Sequence, residues 1–123
     1  MSYGKLLKAA PLLFGGLVAI FGVSGAWAAA QTRFWNITGD TVVKFELAPA
    51  GTTNWGPDQC KNDQDNSVDD DERLPVKDVP TGSYDARMTF EDGRVCLAKA
   101  INVEDGKIFS IERDQLKDCS TPH

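Results

Sequence analysis

The feature that most constrains the fold of this chain is an alternation of apolar and polar residues with a period of two. In one run the apolar positions are Val43, Phe45 and Leu47. In a second run they are Tyr84, Ala86, Met88 and Phe90. Such alternation is typical of β-strands that bury one face and expose the other. No long segment carries the 3.6-residue apolar repeat of an amphipathic helix, so a helix-rich fold is excluded.

Turn signals separate the alternating runs. They are Gly39-Asp40, Asp92-Gly93 and Asp105-Gly106. Asp-Gly between such runs indicates a tight hairpin in which both central residues take positive φ. We therefore predict strands over 32–37, 41–48, 74–79, 83–90, 94–103 and 107–112, and one helical turn at 113–117. The expected fold class is all-β, a small antiparallel β-sandwich or open barrel of about six strands.

The first thirty residues have the order of a secretory signal peptide. Lys5 and Lys8 give a positive start, and residues 11–23 form an apolar run without a charge. Small-residue cleavage motifs follow at 26–28 and 28–30. Basic, apolar and small residues in this order direct a protein to export and are then removed.

An uncleaved membrane anchor is the alternative, since the uncharged stretch 9–31 is long enough to span a bilayer. Pro11, several glycines and the alanine-rich end disfavour a stable spanning helix and favour cleavage. We therefore expect a signal peptide over 1–30 and a single β-rich domain over 31–123. The mature protein would be periplasmic or secreted, without a stable membrane anchor.

Cleavage leaves a strongly acidic domain. Loss of Lys5 and Lys8 reduces the basic residues from 13 to 11, against 18 acidic ones, which makes the net charge −7. Such a domain repels phosphate backbones, so nucleic acid is excluded as a partner. The remaining 93 residues can bury only one modest core, and chains of this size often need a covalent link.

Three cysteines, Cys60, Cys96 and Cys119, lie in the exported part. In an oxidising compartment this number predicts one disulfide and one remaining thiol. Three pairings are open. Cys96–Cys119 closes the shortest loop and is slightly preferred, whereas Cys60–Cys96 would tie the acidic segment described next to the sheet. The spacings do not suit a zinc site.

One segment, residues 50–73, breaks the strand pattern. Its part from 58 to 72 holds seven acidic residues and one lysine. A long loop of this kind is uncommon in a compact domain unless it is functional or disordered. Since close carboxylates repel one another, we expect residues 58–72 to be open and mobile without a counter-ion.

The acidic loop partly matches a twelve-position calcium loop that starts at Lys61. The candidate ligands are Asp63, Asp65, Ser67, Asp69 and Glu72. Asn66 stands where the loop turns sharply, and Val68 is an apolar residue suited to anchor the loop on the core. Lys61 occupies the position of the first carboxylate, and the flanking prolines are unlike an EF-hand. Calcium is therefore a possible cofactor, and the alternative is a solvated acidic loop that faces a basic protein partner.

Catalytic motifs are missing from the sequence, which therefore predicts no enzyme. The single histidine is His123, so neither Ser–His–Asp nor Cys–His catalysis has a credible base. Asp85 and Arg87 alternate along one strand, and we expect a weak surface ion pair between them. Trp35 and Trp55 suit either a ligand surface or the rim of the core.

Several short motifs together resemble a family of small exported bacterial proteins that are usually left uncharacterised. They are Asn36-x-Thr38, Phe45-x-Leu47-x-Pro49, Asn54-Trp55-Gly56-Pro57-Asp58, Asp71-Glu72-Arg73-Leu74, Gly82-x-Tyr84-Asp85-x-Arg87 and Asp92-Gly93-Arg94-x-Cys96. The resemblance covers nearly all of 32–119 and implies export and a β-rich domain. It implies no catalytic residues. Some distant members carry a cysteine where this chain has Ser83, which leaves the partner of Cys119 open.

These observations predict a non-enzymatic, exported binding or interaction module whose acidic loop holds a weakly bound calcium ion. The alternative is a structural or protein-interaction domain without a metal site, whose acidic loop faces a basic partner.

Overall fold

The computed structural model describes residues 30–121, so most of the predicted signal peptide lies outside it. Seven strands are present: β1 Thr32–Ile37, β2 Val42–Pro49, β3 Arg73–Val76, β4 Gly82–Phe90, β5 Val95–Val103, β6 Ile108–Glu112 and β7 Lys117–Ser120. Two short 3₁₀ helices occupy Gln59–Asn62 and Arg113–Gln115. In this range, no helix has the length and apolar character needed to cross a membrane.

The strands form two sheets, which confirms the all-β class and gives a β-sandwich rather than a closed barrel. One sheet has the order β3-β1-β6 and the other has the order β2-β4-β5-β7. The pairings are antiparallel except that between β1 and β6, which is parallel. The chain returns to the first sheet twice, between β2 and β3 and between β5 and β6, and among the seven strands described only the β4–β5 connection stays within one sheet.

Three phenylalanines join the two sheets at the centre of the core. Phe34 of β1 and Phe45 of β2 are fully buried, and their rings stack with centroids 4.1 Å apart. Phe109 of β6 lies 5.7 Å from Phe34 between ring centroids. The inward faces of β1, β2 and β6 thus meet, as the packing of two sheets face to face requires.

Two β-bulges change the predicted alternation. The register between β2 and β4 shifts between Val42 and Lys44, so Val42 is buried while Val43 is only half-buried. The prediction that Val43 faces the core is therefore wrong. A second shift lies between β4 and β5, where Lys99 and Ala100 of β5 stand opposite one residue of β4, Asp85, which is buried at 4% exposure. A bulge inserts one residue and reverses the inward and outward faces beyond it.

The hairpin between β4 and β5 differs from the predicted type. Gly93 has a φ of 92°, whereas Asp92 is not in the left-handed region. The amide of Gly93 donates to the carbonyl of Phe90, and the amide of Phe90 donates to the carbonyl of Arg94. This is a three-residue loop that ends in a left-handed glycine, so only one of its residues needs positive φ.

The seventh strand, β7, was not expected from the sequence. Its four residues are all exposed, so the segment has no apolar alternation. The Cys96–Cys119 disulfide attaches β7 to β5, which confirms the preferred pairing. Cys60 remains a free and fully buried cysteine. The predicted helical turn at 113–117 is present as the shorter 3₁₀ helix Arg113–Gln115.

Candidate functional site

The segment from 54 to 68 runs along the outer edge of β2, and we call it the covering segment. The amide of Gly56 donates to the carbonyl of Leu47 at 2.9 Å. Val42 and Val68 exchange two backbone hydrogen bonds of 3.0 and 2.9 Å. The covering segment is therefore attached to β2 at both of its ends.

Asp58 completes this contact with a side chain. One carboxylate oxygen, Oδ1, accepts from the amide of Phe45 at 3.0 Å and from the amide of Cys60 at 2.9 Å. It replaces the carbonyl that a neighbouring strand would offer to β2, and it caps the short 3₁₀ helix. Asp58 and Val68 therefore attach the loop 58–72 to β2, so the loop is not open along its whole length, and its mobility without a counter-ion stays a prediction.

The first half of the predicted calcium loop has the expected backbone but no convergent ligands. Asn66 has a φ of 57°, and Val68 is buried at 1% exposure, as the loop pattern predicts. The amide of Asp65 donates a hydrogen bond to Asp63 Oδ2 at 3.2 Å. Asp65 is exposed and Ser67 is half-buried. The turn geometry is therefore confirmed, and the carboxylate of Asp63 stabilises that turn.

The second half of the loop uses its carboxylates in the same way. Asp69 Oδ1 accepts from the hydroxyl of Thr41 at 3.0 Å. Glu72 Oε1 accepts from the amide of Asp69 at 2.8 Å. Within residues 30–121, no three acidic, histidine or cysteine side chains lie close enough to hold a metal ion. Calcium binding by the loop stays a prediction, and it would require these carboxylates to exchange their present partners.

The fold brings acidic residues from distant parts of the chain to one end of the sandwich. The amide of Gly39 donates to Asp70 Oδ1 at 2.8 Å, which joins the first turn to the loop. The amide of Glu91 donates to the carbonyl of Thr41 at 3.0 Å, which adds the hairpin between β4 and β5. We call this region the acidic end, and its acidic residues are Asp40, Asp69, Asp70, Asp71, Glu72, Glu91 and Asp92.

Three arginines neutralise only part of the acidic end. Arg94 Nη2 lies 3.0 Å from Asp40 Oδ2, and Arg113 Nη1 lies 3.8 Å from the same oxygen. Arg73 stacks its guanidinium over the ring of Trp35 at 4.7 Å. Seven acidic residues against three basic ones leave an excess of four negative charges. Asp69, Asp70, Asp71 and Glu72 are all exposed, so this charge faces solvent.

A buried asparagine fixes the geometry of the acidic end. Asn36 is fully buried, and its Nδ2 donates to the carbonyls of Asp40 at 2.8 Å and Val68 at 3.0 Å. Its Oδ1 accepts from the amide and the hydroxyl of Thr38 at 3.0 and 2.7 Å. The Asn36-x-Thr38 motif is thus a fully satisfied polar contact that holds the first turn against the loop.

The two candidate ligand-binding tryptophans contact arginines that belong to different sheets. Trp35, on β1, donates through Nε1 to Asp71 Oδ1 at 3.0 Å and belongs to the acidic end. Trp55 lies 4.5 Å from the guanidinium of Arg87 on β4. Both tryptophans are half-buried, as rim residues are. They do not form one ligand surface together.

The ion pair expected between Asp85 and Arg87 does not form. Arg87 Nε instead donates to Glu46 Oε1 at 2.9 Å on the neighbouring strand. Asp85 stands opposite a bulge whose extra residue belongs to β5, and Lys99 of that bulge lies 3.9 Å from its carboxylate. The expectation was wrong because Arg87 binds Glu46, while the carboxylate of Asp85 is taken by two backbone amides and by Lys99.

Asp85 is a buried carboxylate that joins the turn after β2 to the bulge in β5, toward the end of the sandwich opposite the acidic end. Oδ1 accepts from the amide of Ala100 at 3.0 Å, and Oδ2 accepts from the amide of Gly51 at 2.9 Å. These two hydrogen bonds, with Lys99 nearby, hold the pKa of Asp85 below its usual value despite burial. The Tyr84-Asp85 motif therefore serves the fold, since Tyr84 also donates to the carbonyl of Pro80 at 2.6 Å, as in a tyrosine corner.

We expect the stability of the domain to depend on the ionisation of Asp85. Because its pKa is lower in the folded state, its stabilisation is present above about pH 4 and is lost as the pH falls through the folded pKa. Asp85→Asn should lower the free energy of unfolding at pH 7 by about 1–3 kcal/mol. Urea denaturation between pH 2 and 7 measures this, with Asp92→Asn as an exposed control. An unchanged pH dependence in Asp85→Asn would contradict the assignment.

The remaining thiol, that of Cys60, is unreactive at neutral pH. Burial, helped by the neighbouring charge of Asp58, raises the pKa of this thiol to about 12. Its sulfur lies 3.7 Å from the carbonyl of Val42, to which the thiol donates. A thiol that stays protonated at neutral pH is a poor nucleophile and a poor metal ligand. Cys60 therefore belongs to the core rather than to a reactive site.

One apolar recess lies between the covering segment and the loop before β4. Its volume is about 310 Å³, and its apolar lining residues are Leu47, Pro49, Pro57, Val79, Pro80 and Tyr84. The prolines and the hydrogen bond of Tyr84 make this wall stiff. The recess is half open to solvent and is distant from the acidic end.

The sequence identified the acidic loop but missed part of the acidic end. Asp40, Glu91 and Asp92 are far from the loop in sequence, and only the turn pairs that contain Asp40 and Asp92 were a signal. Turns at the same end of neighbouring strands lie close together in a sandwich. No family model, curated protein or solved structure matches this chain.

Proposed function

We propose that the protein is an exported, non-enzymatic interaction module that binds a basic partner through the acidic end. The observation that carries the proposal is the arrangement of the carboxylates. Asp69, Asp70 and Glu72 each accept a hydrogen bond from the protein itself and still lie on the exposed surface. They form a negative surface of fixed shape, which gives a basic partner a defined register.

Export is supported by the leader sequence and by the disulfide. Residues 1–30 have the order of a cleaved signal peptide, which makes the mature protein periplasmic or secreted. The Cys96–Cys119 bridge suits an oxidising compartment. A non-enzymatic role is supported by the sequence, in which the only histidine is the final residue, His123. Tight turns and buried hydrogen bonds account for the motifs that Asn36 and Asp85 belong to.

Weak calcium binding by the loop is the second candidate function. Two observations favour it: the positive φ of Asn66 and the burial of Val68, which are both features of a calcium loop. The candidate ligands remain Asp63, Asp65, Ser67, Asp69 and Glu72. Against them stand Lys61 at the first position and the hydrogen bonds that already engage Asp63, Asp69 and Glu72.

Titration with a short polylysine peptide and, separately, with calcium chloride tests both functions. The peptide should bind at low ionic strength and lose affinity as salt screens the charges. Glu91→Lys should weaken its binding by about twofold to thirtyfold, because the charge reversal removes an exposed ion pair worth about 0.2–1 kcal/mol and adds a repulsion of similar size. Glu104→Lys, which makes the same change in net charge at the opposite end, is the matched control. Equal affinities for both variants would refute binding at the acidic end.

The calcium arm uses Glu72→Gln and Asp65→Asn beside the wild type. A calcium site of the kind found in extracellular modules would saturate with a dissociation constant on the order of 10⁻⁴–10⁻³ M, and both variants would weaken it. If no variant differs from the wild type and no saturation occurs below about 10 mM, the loop has no calcium site. The basic partner then remains the proposed function alone.

A further inference from the structure

The two sheets present four edge strands, and the edges of β2 and β3 are blocked by the same element. The covering segment pairs with β2, as described above. The 3₁₀ helix within the same segment blocks β3. Gln59 exchanges hydrogen bonds of 3.1 and 2.9 Å with the backbone of Lys77, and Asn62 Nδ2 donates to the carbonyl of Pro75 at 2.9 Å. Pro75 also removes a backbone donor from β3. This side of the sandwich is closed to any further strand.

The third edge strand, β7, is protected by other means. It has only four residues, which include Lys117 and Asp118, and Asp118 has a φ of 50°. Short length, charged side chains and irregular backbone are the features by which proteins keep an edge from pairing with another chain. Three of the four edges therefore carry a recognisable protection.

The fourth edge, that of β6, is also short, with five residues, but none of them has a positive φ. Its sequence, Ile108-Phe109-Ser110-Ile111-Glu112, contains no proline and no charge before its last residue. Within residues 30–121, no strand pairs with its outer side. Among residues 30–121, Ile108 is the large hydrophobic residue that is exposed to solvent, with 51% exposure. An unprotected edge beside an exposed apolar side chain is a site for addition of a strand.

The ladder with β1 determines which groups of β6 are free. The amide of Arg33 donates to the carbonyl of Lys107, and Arg33 stands opposite Ile108. In a parallel ladder with this register, the odd-numbered residues of β6 bond to β1 and the even-numbered residues point away from it. The amide of Glu112 is taken by Gln115 Oε1 at 2.7 Å. The backbone donors and acceptors of Ile108 and Ser110 are therefore the ones that face outward.

We propose that a second copy of this chain pairs with β6 in an antiparallel arrangement centred on Phe109. A two-fold axis at Phe109 places Ile108 of each copy opposite Ser110 of the other copy. These pairs exchange four backbone hydrogen bonds, so the outward groups of both residues are all satisfied. Ile108 of one copy then lies diagonally across from Ile108 of the other, within reach of an apolar contact. The result is one six-stranded sheet through both copies.

The charge distribution favours this antiparallel arrangement over a parallel one. The C-terminal end of β6 lies at the acidic end, since Arg113 contacts Asp40. Antiparallel pairing therefore places the acidic ends of the two copies at opposite ends of the joint sheet. A parallel pairing would bring two negative surfaces together, and their repulsion would oppose it. Two-fold pairing is also the commonest symmetry among soluble oligomers.

The dimer should be weak, because the edge offers only two residues and one exposed apolar side chain. We expect a dissociation constant on the order of 0.1–1 mM, as for small transient interfaces. Sedimentation velocity on the mature protein from about 10 µM to about 1 mM should show a shift from monomer to dimer. Over the same range, hydrogen exchange of the Ile108 and Ser110 amides should slow, while exchange of exposed amides in β7 should not.

Two variants test the edge in different ways. Ile108→Lys adds the charge that natural edges use as protection, and Ser110→Pro removes an outward amide without touching the ladder to β1. Each should weaken dimerisation by about tenfold or more, whereas Asn102→Lys, exposed on β5, should not. Circular dichroism establishes that each variant is folded. A wild type that is monomeric at about 1 mM, or a dimer that both β6 variants retain, would overturn the proposal.

Discussion

Replacing Phe45 with Ala should lower the free energy of unfolding by about 3–5 kcal/mol, one of the two largest effects we expect. Phe45 is fully buried, and its ring is nearly parallel to that of Phe34, with an angle of 2° between the planes. Phe109 lies 6.2 Å away, measured between ring centroids. Since Phe34 and Phe45 belong to different sheets, the cavity would open where the two sheets meet.

Urea denaturation at neutral pH measures this effect through the midpoint at constant slope. Ile108→Ala, a truncation at an exposed position, is the matched control and should change stability by less than about 0.5 kcal/mol. A loss of less than about 1.5 kcal/mol for Phe45→Ala would mean that the sheets close over the cavity. Small domains have only about 5–15 kcal/mol of stability, so the expected loss is a large part of the total.

The sequence predicts the strands well where one face is buried. β1 has the predicted bounds Thr32–Ile37, and β4 begins one residue early, at Gly82. Alternation is a local signal because side chains on a strand point to opposite faces in turn. It fails at the β2 bulge, where one extra residue exchanges the faces, and at Asp85, which stands opposite a bulge in β5. The burial of Val42 and Asp85 depends on pairing with neighbouring strands, and the chain's own pattern does not contain that information.

The covering segment shows a different limit of sequence reasoning. Its acidic residues suggest a cation loop, but Asp58 and Asp63 each use one carboxylate oxygen to accept hydrogen bonds from the protein itself. Asp58 is the clearest example, since its carboxylate oxygen accepts the hydrogen bond from β2 that a neighbouring strand would otherwise accept. This role depends on an edge that exists only once the sheet has formed. Composition therefore locates the segment, whereas the partner of each carboxylate follows from the topology.

β7 was missed because all four of its residues are exposed, and Cys119 alone connects it covalently to β5 through Cys96. Val95 faces Ser120 and Leu97 faces Lys117, and these are its register pairs with β5. Exposed polar residues carry no periodic signal, so the cysteine was the only indication that this segment joins the sheet. The attachment of β7 is consequently the feature of the fold that depends most on a covalent bond.

Removal of the disulfide should therefore have the second large effect. The double variant Cys96→Ser and Cys119→Ser should be about 3 kcal/mol less stable than the oxidised wild type, because the bridge closes a loop with a sequence separation of 23 residues. Cys96 is fully buried while β7 is exposed, so β7 should detach before the core unfolds. Amide exchange in β7 should rise strongly in the double variant, with little change in β1.

Reductant supplies the internal control for this prediction. Denaturation curves of the wild type should move toward those of the double variant when reductant is present, and the double variant should not respond. Denatured wild type without reductant should release one thiol, that of Cys60. Three thiols in that assay, or equal stabilities with and without reductant, would contradict the bridge.

Because β7 follows β6 directly through Arg113–Gln115, detachment of β7 would also release Arg113 from its fixed position beside Asp40 at the acidic end. Loss of the disulfide should therefore strengthen binding of a basic peptide while it weakens the fold, a combination that simple unfolding would not produce.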